Sequence, residues 1–218
     1  MPRMPRRRSY AHYCAAARAL DTVGDRWTLL IVRELLAGRR RYTDLHADLP
    51  GISTDVLAAR LKDLEREELA TRHRLPPPAA AYVYELTERG RELLPVLTAL
   101  AAWGAPALEE RQPTDAVRAH WYALPLLEPL TEAADGLTGV VDVRLEEGTF
   151  HVRLGPDSGA PLYGDGPADA ADARLTLPQD LCNALAAGTA SLAEGVKRDR
   201  VRVEGDSELA DRLRGSRG

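Results

Sequence analysis

The chain is poor in cysteine, in long apolar runs and in the motifs of known catalytic chemistry. Cysteine occurs twice in 218 residues, at positions 14 and 182. Two cysteines do not make a disulfide framework, so a reducing cytoplasm is the expected compartment. The longest mainly apolar stretch, Leu93 to Leu108, is interrupted by Pro95 and Pro106 and is too short to cross a bilayer, so no membrane partner is expected. The N-terminus, Met1-Pro-Arg-Met-Pro-Arg-Arg-Arg-Ser9, is basic, but no apolar run follows it, which argues against an export signal. There is no Gly-x-Ser-x-Gly, no Gly-rich phosphate loop ending in Lys-Ser/Thr, and no His-Glu-x-x-His. The histidines, at 12, 46, 73, 120 and 151, fall in separate elements without metal-ligand spacing. Neither an enzyme nor a metal or cofactor site is expected.

What is present is the composition of a globular protein: 44% hydrophobic and 28% charged residues, with a net charge of −4. That charge is unevenly spread. Residues 1–112 carry 18 Lys+Arg against 15 Asp+Glu, a balance of +3, and residues 113–218 carry 11 against 18, a balance of −7. Only the first half suits a polyanionic partner. The composition break near Glu110-Arg-Gln-Pro-Thr114 divides the chain into domains 1–112 and 113–218.

The first half reads as mostly helical. Tyr10 to Val23 is Ala-rich and ends at Gly24. Trp27, Leu30, Ile31 and Leu35 form an amphipathic helix that stops at Gly38. Thr43 to Leu49 is a short helix closed by Pro50-Gly51. Ser53 is placed to N-cap Thr54–Glu67, with Ile52 and Leu57 at the spacing of a hydrophobic staple. Leu57, Leu61 and Leu64 line one face of that helix. Asp55, Ala58, Ala59, Lys62 and Arg66 lie on the other, a mixture of small and polar residues that lets a backbone approach a groove. Leu69–Leu75 and Ala81–Leu86 read as a hairpin whose tip, Pro76 to Ala80, is expected to be stiff and extended. Thr87 caps a long helix, Glu88 to about Trp103, in which Pro95 should produce a kink. Helix–turn–helix followed by a β-hairpin is a winged helix.

Several blocks in this half resemble the HxlR-type branch of the MarR-like bacterial regulators: Cys14, Gly24-Asp-Arg-Trp-Thr-Leu-Leu-Ile-Val-Arg-Glu-Leu35, Arg41-Tyr-Thr-Asp-Leu45, Gly51-Ile-Ser53, Leu57-Ala-Ala-Arg-Leu-Lys-Asp-Leu64 and Tyr84-Glu-Leu-Thr-Glu-Arg-Gly90. Their order and spacing match over roughly residues 10–110. Two positions depart from the pattern. Glu68 stands where the family usually has glycine, and Asp55 where it often has a basic residue. The resemblance implies a homodimer built from the first and last helices of this half, with Thr54–Glu67 in the major groove of duplex DNA. On that scaffold Ser53 and Thr54 would donate to phosphate, and Arg60 and Lys62 would meet phosphates or guanine edges. Ala58 would lie close to the groove, with the Asp55 carboxylate near phosphates. Arg39, Arg40 and Arg41 would touch backbone, and Arg72 and Arg74 would follow the flanking groove from the wing. Taken singly these residues have plainer readings: Arg60 pairs with Asp63 one turn on, and Arg39–Arg41 is a solvated loop. Cys14 has two readings. Some family members use a cysteine at this position as a redox sensor, and Arg18 would lower its pKa; the preferred alternative is a small packed hydrophobe in an Ala-rich helix. Cys182 reads as core.

The second half reads as α+β. Apolar, near-helical His120–Leu127 precedes a hairpin, Gly139–Leu145 with Thr149–Leu154, and a loop at Gly159–Gly166. Then come a strand at Ala173–Leu177, a helix at Gln179–Ala187 ended by Gly188, a helical turn or two at Ala190–Val196, a strand at Arg200–Glu204 and a helix at Ser207–Leu213. The runs Ala173-Arg-Leu-Thr-Leu-Pro-Gln-Asp-Leu181, Gly188-Thr-Ala-Ser-Leu192 and Arg200-Val-Arg-Val-Glu-Gly-Asp206 resemble the sterol-carrier-protein fold, in which a small sheet and helices enclose an apolar cavity. That resemblance makes Trp121, Tyr122, Leu126, Leu127, Phe150, Val152, Leu177, Leu181 and Leu185 candidate cavity walls, each with the plainer reading of core. Trp121 and Tyr122, with polar handles, are the preferred ligand contacts, beside Leu126, Phe150 and Leu181.

The combined expectation is a cytoplasmic, homodimeric DNA-binding regulator, with repression the favoured mode and a hydrophobic small molecule in the C-terminal module as effector. A redox switch at Cys14 is one alternative. The other is a lipid carrier or accessory protein whose helical half only dimerises.

Overall fold

A computed structural model describes residues 9–79, 81–109, 111–155 and 160–215. The basic N-terminal run through Arg8, Ala80 of the hairpin tip, Glu110 of the boundary segment and Gly159 of the loop lie outside those residues. The chain separates into two compact units, one holding residues through Leu35 and Arg39–Leu93, the other Leu36–Gly38 and everything from Leu94 onward.

The first unit begins with α1, Ala15–Val23, shorter than the composition predicts. Residues 10–13 are not helical. After Gly24, Asp25 accepts a hydrogen bond from the Trp27 amide at 3.0 Å and starts α2, Thr28–Leu36. A two-residue strand β1, Arg40–Arg41, leads into α3, Tyr42–Asp48, and a tight turn through Gly51 (φ +87°) leads into α4, Thr54–Arg66. The Ser53 side chain caps α4 by accepting from the Val56 amide at 3.3 Å. Leu57, Leu61 and Leu64 turn inward and are fully buried with Ile31, Val32, Leu45 and Leu49. Each such leucine contributes about 1.5–3 kcal/mol of transfer free energy, so this stripe sets the roll of α4 about its own axis.

Helix α4 ends in a Schellman turn. The Leu69 amide donates to the Leu64 carbonyl at 2.9 Å and the Glu68 amide to that of Glu65 at 3.1 Å. Glu68 occupies the left-handed position, φ +57°. The turn at which the resemblance leads one to expect glycine is therefore kept, with a glutamate in it. β2, Ala70–Arg74, and β3, Tyr82–Leu86, follow as the expected hairpin, and β3 is the middle strand of a three-stranded antiparallel sheet ordered β1-β3-β2. Because β3 is central, Val83 on one face and Tyr84 and Leu86 on the other are all buried. The tip is a turn with a cis Pro77–Pro78 bond, not an extended rod, and the Leu75 amide closes it onto the Ala81 carbonyl at 2.8 Å. Thr87 caps α5, Glu88–Arg91, accepting from the Gly90 amide at 3.0 Å. The long kinked helix expected here is two helices: the chain breaks at Glu92–Leu93, and Pro95 stands in the first turn of α6, Leu94–Gly104, where its missing N–H costs nothing.

In the second unit a short 3₁₀ turn at Ala119–Tyr122 enters α7, Ala123–Ala134. β4, Gly139–Leu145, and β5, Gly148–Leu154, pair antiparallel around a two-residue loop. β6, Tyr163–Asp165, then adds to the far edge of β5. β7, Ala173–Thr176, runs parallel to β4, and β8, Arg202–Glu204, closes the other edge. The result is a five-stranded mixed sheet ordered β6-β5-β4-β7-β8. Helices α8, Gln179–Ala186, α9, Leu192–Lys197, and α10, Glu208–Leu213, accompany α7. Pro178, expected at the first helical position of α8, is its N-cap. Architecturally the chain is a winged helix-turn-helix followed by an α+β domain.

Candidate nucleic-acid interface

The burial of the three leucines leaves Thr54, Asp55, Val56, Ala58, Ala59, Lys62 and Arg66 of α4 exposed. Ser53 is exposed beside them at the N-terminus, where amides and helix dipole favour an anion. The Tyr42 hydroxyl donates to the Thr54 carbonyl at 2.8 Å, which ties α3 to the start of α4 and holds the helix-turn-helix angle. Alanines at 58 and 59 leave the backbone of this face uncovered by long side chains. Val56, 37% exposed, is an apolar side chain in the first turn that the periodicity did not single out. Its signal is that it lies off the leucine stripe, where an exposed β-branched residue suits a thymine methyl.

The basic residues sort into two groups. Lys62, Arg41 and Arg74 are exposed, and no ion pair to any of them is found among the described residues. Arg72 is exposed too and lies over the Tyr82 ring, 4.0 Å from its centroid, so the wing presents a stiffened guanidinium. Pairing of Arg72 with Tyr84 and of Arg74 with Tyr82 places all four on one face of the hairpin. The other arginines are committed elsewhere. Arg60 reaches Asp63 at 3.1 Å and Asp25 at 3.4 Å, and its side chain is three-quarters buried. Arg39 pairs with Glu85 at 2.8 Å. Arg40 is half-buried, with Nε and Nη2 closed to solvent. For Arg60 the plainer sequence reading, a pair with Asp63, describes the observed geometry. Arg39 and Arg40 are not the solvated loop of that reading, because Arg39 is paired with Glu85 and Arg40 lies half-buried in β1.

Glu85 is the anchor of the opposite wing face. Besides Arg39, His73 Nε2 stands 3.0 Å and Arg91 3.5 Å from its carboxylate. Burial alone would raise its pKa, but the hydrogen bond and charge of Arg39, with His73 behind them, more than reverse this and hold it below the ordinary 4.5. The cluster fixes β1, the wing and α5 to one another.

Cys14 is exposed at the N-cap of α1, not packed into the helix as preferred from composition. Cys182 is buried as expected, and desolvation, with Glu147 and Asp180 adding to it, pushes its thiol up to about 12. Of the candidate ligand contacts, Tyr122, Leu126, Phe150 and Leu181 are buried and Trp121 is half-buried, and none of the five is among the residues lining one open groove of this unit. The Tyr122 hydroxyl accepts from Gln179 Nε2 at 2.5 Å, tying the entry of α7 to α8. The groove, about 730 Å³, lies instead among α6, α7, the end of α8 and the start of α9. Leu124, Pro125 and Pro129 line it with Leu185 and Leu192, and Glu128 and Glu132 stand on the same wall. Of the predicted cavity walls, Leu185 alone reaches it.

A family model described as HxlR-like helix-turn-helix matches residues 22–112, and one described as the SCP-2 sterol transfer family matches residues 125–216. An uncharacterized HTH-type transcriptional regulator of Synechocystis sp. is 38% identical over 45% of this chain and 73% of its own length. A second, YvaP of Bacillus subtilis, is 38% identical over 39% of this chain and 80% of its own. Among solved structures, the reduced form of the transcriptional regulator YodB from B. subtilis is 33% identical, over 48% of this chain and all of that one, with a TM-score of 0.39. The chain belongs to the HxlR-like helix-turn-helix family of DNA-binding transcriptional regulators and carries behind it a domain of the sterol-carrier type.

Proposed function

We propose that the protein is a cytoplasmic, homodimeric repressor that lays α4 in the major groove and is released from DNA by a hydrophobic small molecule held in its second half. The observation that carries the reading is the division of α4: its leucines are buried while Ala58, Ala59 and Lys62 stay open. Ser53 and Thr54 then meet phosphate, Val56 and Ala58 approach base edges, and Lys62, Arg41, Arg72 and Arg74 neutralise backbone. Asp55 opposes those contacts. In this reading the functional division is drawn at residues 112 and 113, with α6, which belongs to the second compact unit, serving the DNA-binding half as a dimerisation helix. That helix leaves Val96, Leu100 and Trp103 exposed at i, i+4 and i+7, and α1 leaves Leu20 exposed. Apolar stripes of this kind need a second copy to cover them. The reading assigns the chain no catalytic chemistry.

The test is hydroxyl-radical footprinting on the DNA flanking the protein's own gene. Two protected half-sites about 34–36 Å apart support a dimer with paired recognition helices. A single unpaired footprint, or none, refutes it. The exposure of Cys14 favours one second reading, a redox-controlled repressor. Under it Cys14→Ser abolishes an oxidant response and leaves operator affinity intact; an oxidant response that survives the substitution removes it.

A further inference from the structure

The groove among α6, α7, α8 and α9 carries a charge pattern that a fatty acid does not match. Its walls are apolar or small, no lysine, arginine or histidine lines it, and Glu128 and Glu132 stand four residues apart on α7, both exposed. No ion pair to either is found among the described residues. Two further features have the same sign. Pro129 lies inside α7 and has no N–H, so the Pro125 carbonyl on that wall loses its helical donor. The C-terminal end of α8, Ala186 to Gly188, lies on the other side of the groove, and a helix C-terminus favours positive charge. A volume of about 730 Å³ suits one drug-sized molecule.

From this charge complementarity we infer that the groove binds a lipophilic cation, an apolar body bearing a quaternary or protonated nitrogen or a phosphonium, with Glu128 and Glu132 as its counter-charge. The inference rests on the reading of the second half as the effector module and names the effector class. An anionic lipid would meet two carboxylates and no positive charge, so the same residues disfavour it.

Two ions of nearly equal shape and opposite charge test this. The full-length protein is titrated calorimetrically with tetraphenylphosphonium and with tetraphenylborate. The phosphonium is expected to bind at one site and the borate at least about tenfold more weakly. Glu128→Gln together with Glu132→Gln should weaken phosphonium binding about tenfold or more, and Ala193→Trp, which narrows the groove from an exposed position, should abolish it. Circular dichroism should be unchanged in both variants. Equal affinity for the two ions, no phosphonium binding, or binding indifferent to the variants overturns the inference. An operator gel shift at saturating phosphonium separates it from the reading it rests on: binding that leaves the operator complex intact keeps the groove and refutes effector control. Release that persists in the glutamine variant overturns the groove.

Discussion

Two neighbouring residues of α4 make opposite predictions from the same kind of side chain. Lys62 is exposed and unengaged by any observed ion pair, whereas Arg60 holds Asp25 and Asp63 at 3.4 and 3.1 Å. Lys62→Ala should therefore weaken operator binding across sequences with little change in stability. Arg60→Ala should act mainly on stability, by roughly 0.5–1.5 kcal/mol for two partly exposed pairs, leaving the salt dependence of DNA binding nearly unchanged. Parallel urea melts and anisotropy titrations separate the two; a shallower salt slope in Arg60→Ala would show that its pairs open on DNA. Glu68 behaves differently. At φ +57° it is a β-carbon-bearing residue in a conformation that costs about 1–2 kcal/mol, part of which glycine would return through the entropy of its unfolded chain. Glu68→Gly should thus raise stability by about 0.5–1 kcal/mol, read as a higher urea midpoint, and an unchanged or lower midpoint would mean that the Glu68 side chain contributes more than its strain costs.

At the scale of elements, the wing depends on close approaches that a pattern of hydrophobicity does not reveal. A β-carbon on Gly90 would lie 2.0 Å from the Leu69 carbonyl oxygen, so α5 approaches the start of β2 through the missing side chain. Gly90→Ala should cost about 1–3 kcal/mol and disturb the wing before the helix-turn-helix, visible as early loss of hydrogen-exchange protection at residues 82–86. The Glu85 cluster adds a pH dependence. Because the folded pKa of Glu85 is depressed, its contribution is present above the ordinary carboxylate pKa and disappears as pH falls through the lower folded value. Acid should therefore loosen the wing, and Glu85→Gln should flatten that part of the stability profile. Elements with a strong local signal were legible in the sequence: the Ser53 cap, the leucine stripe, both hairpins and the helix stop at Gly188, whose φ is +67°. What escaped lacked one. β1 is two residues long and exists through β3; β6 is Tyr-Gly-Asp in a loop-like stretch and exists through β5. A cavity wall and a core residue carry the same sequence signal. Apolar periodicity marks which residues face inward, and Phe150 and Leu181 do, but it does not say whether the inside is filled.

For the whole molecule, the charge asymmetry read from composition matches the division of labour: a slightly basic DNA-binding half and an acidic second half whose groove is acidic too. The dimer is the remaining assembly-scale expectation. Trp103 is 84% exposed on α6, so Trp103→Glu should shift the protein toward monomer in sedimentation and reduce operator affinity with it, and a dimer that persists would place the interface elsewhere. The most direct test of the central claim, that α4 offers its small and basic face to a duplex, is log affinity against log salt for the flanking DNA, wild type beside Lys62→Ala. The account predicts a straight line whose slope becomes shallower by about 0.9 in the variant, because one phosphate fewer is neutralised. Coincident slopes, or no saturable complex at any salt, would contradict it.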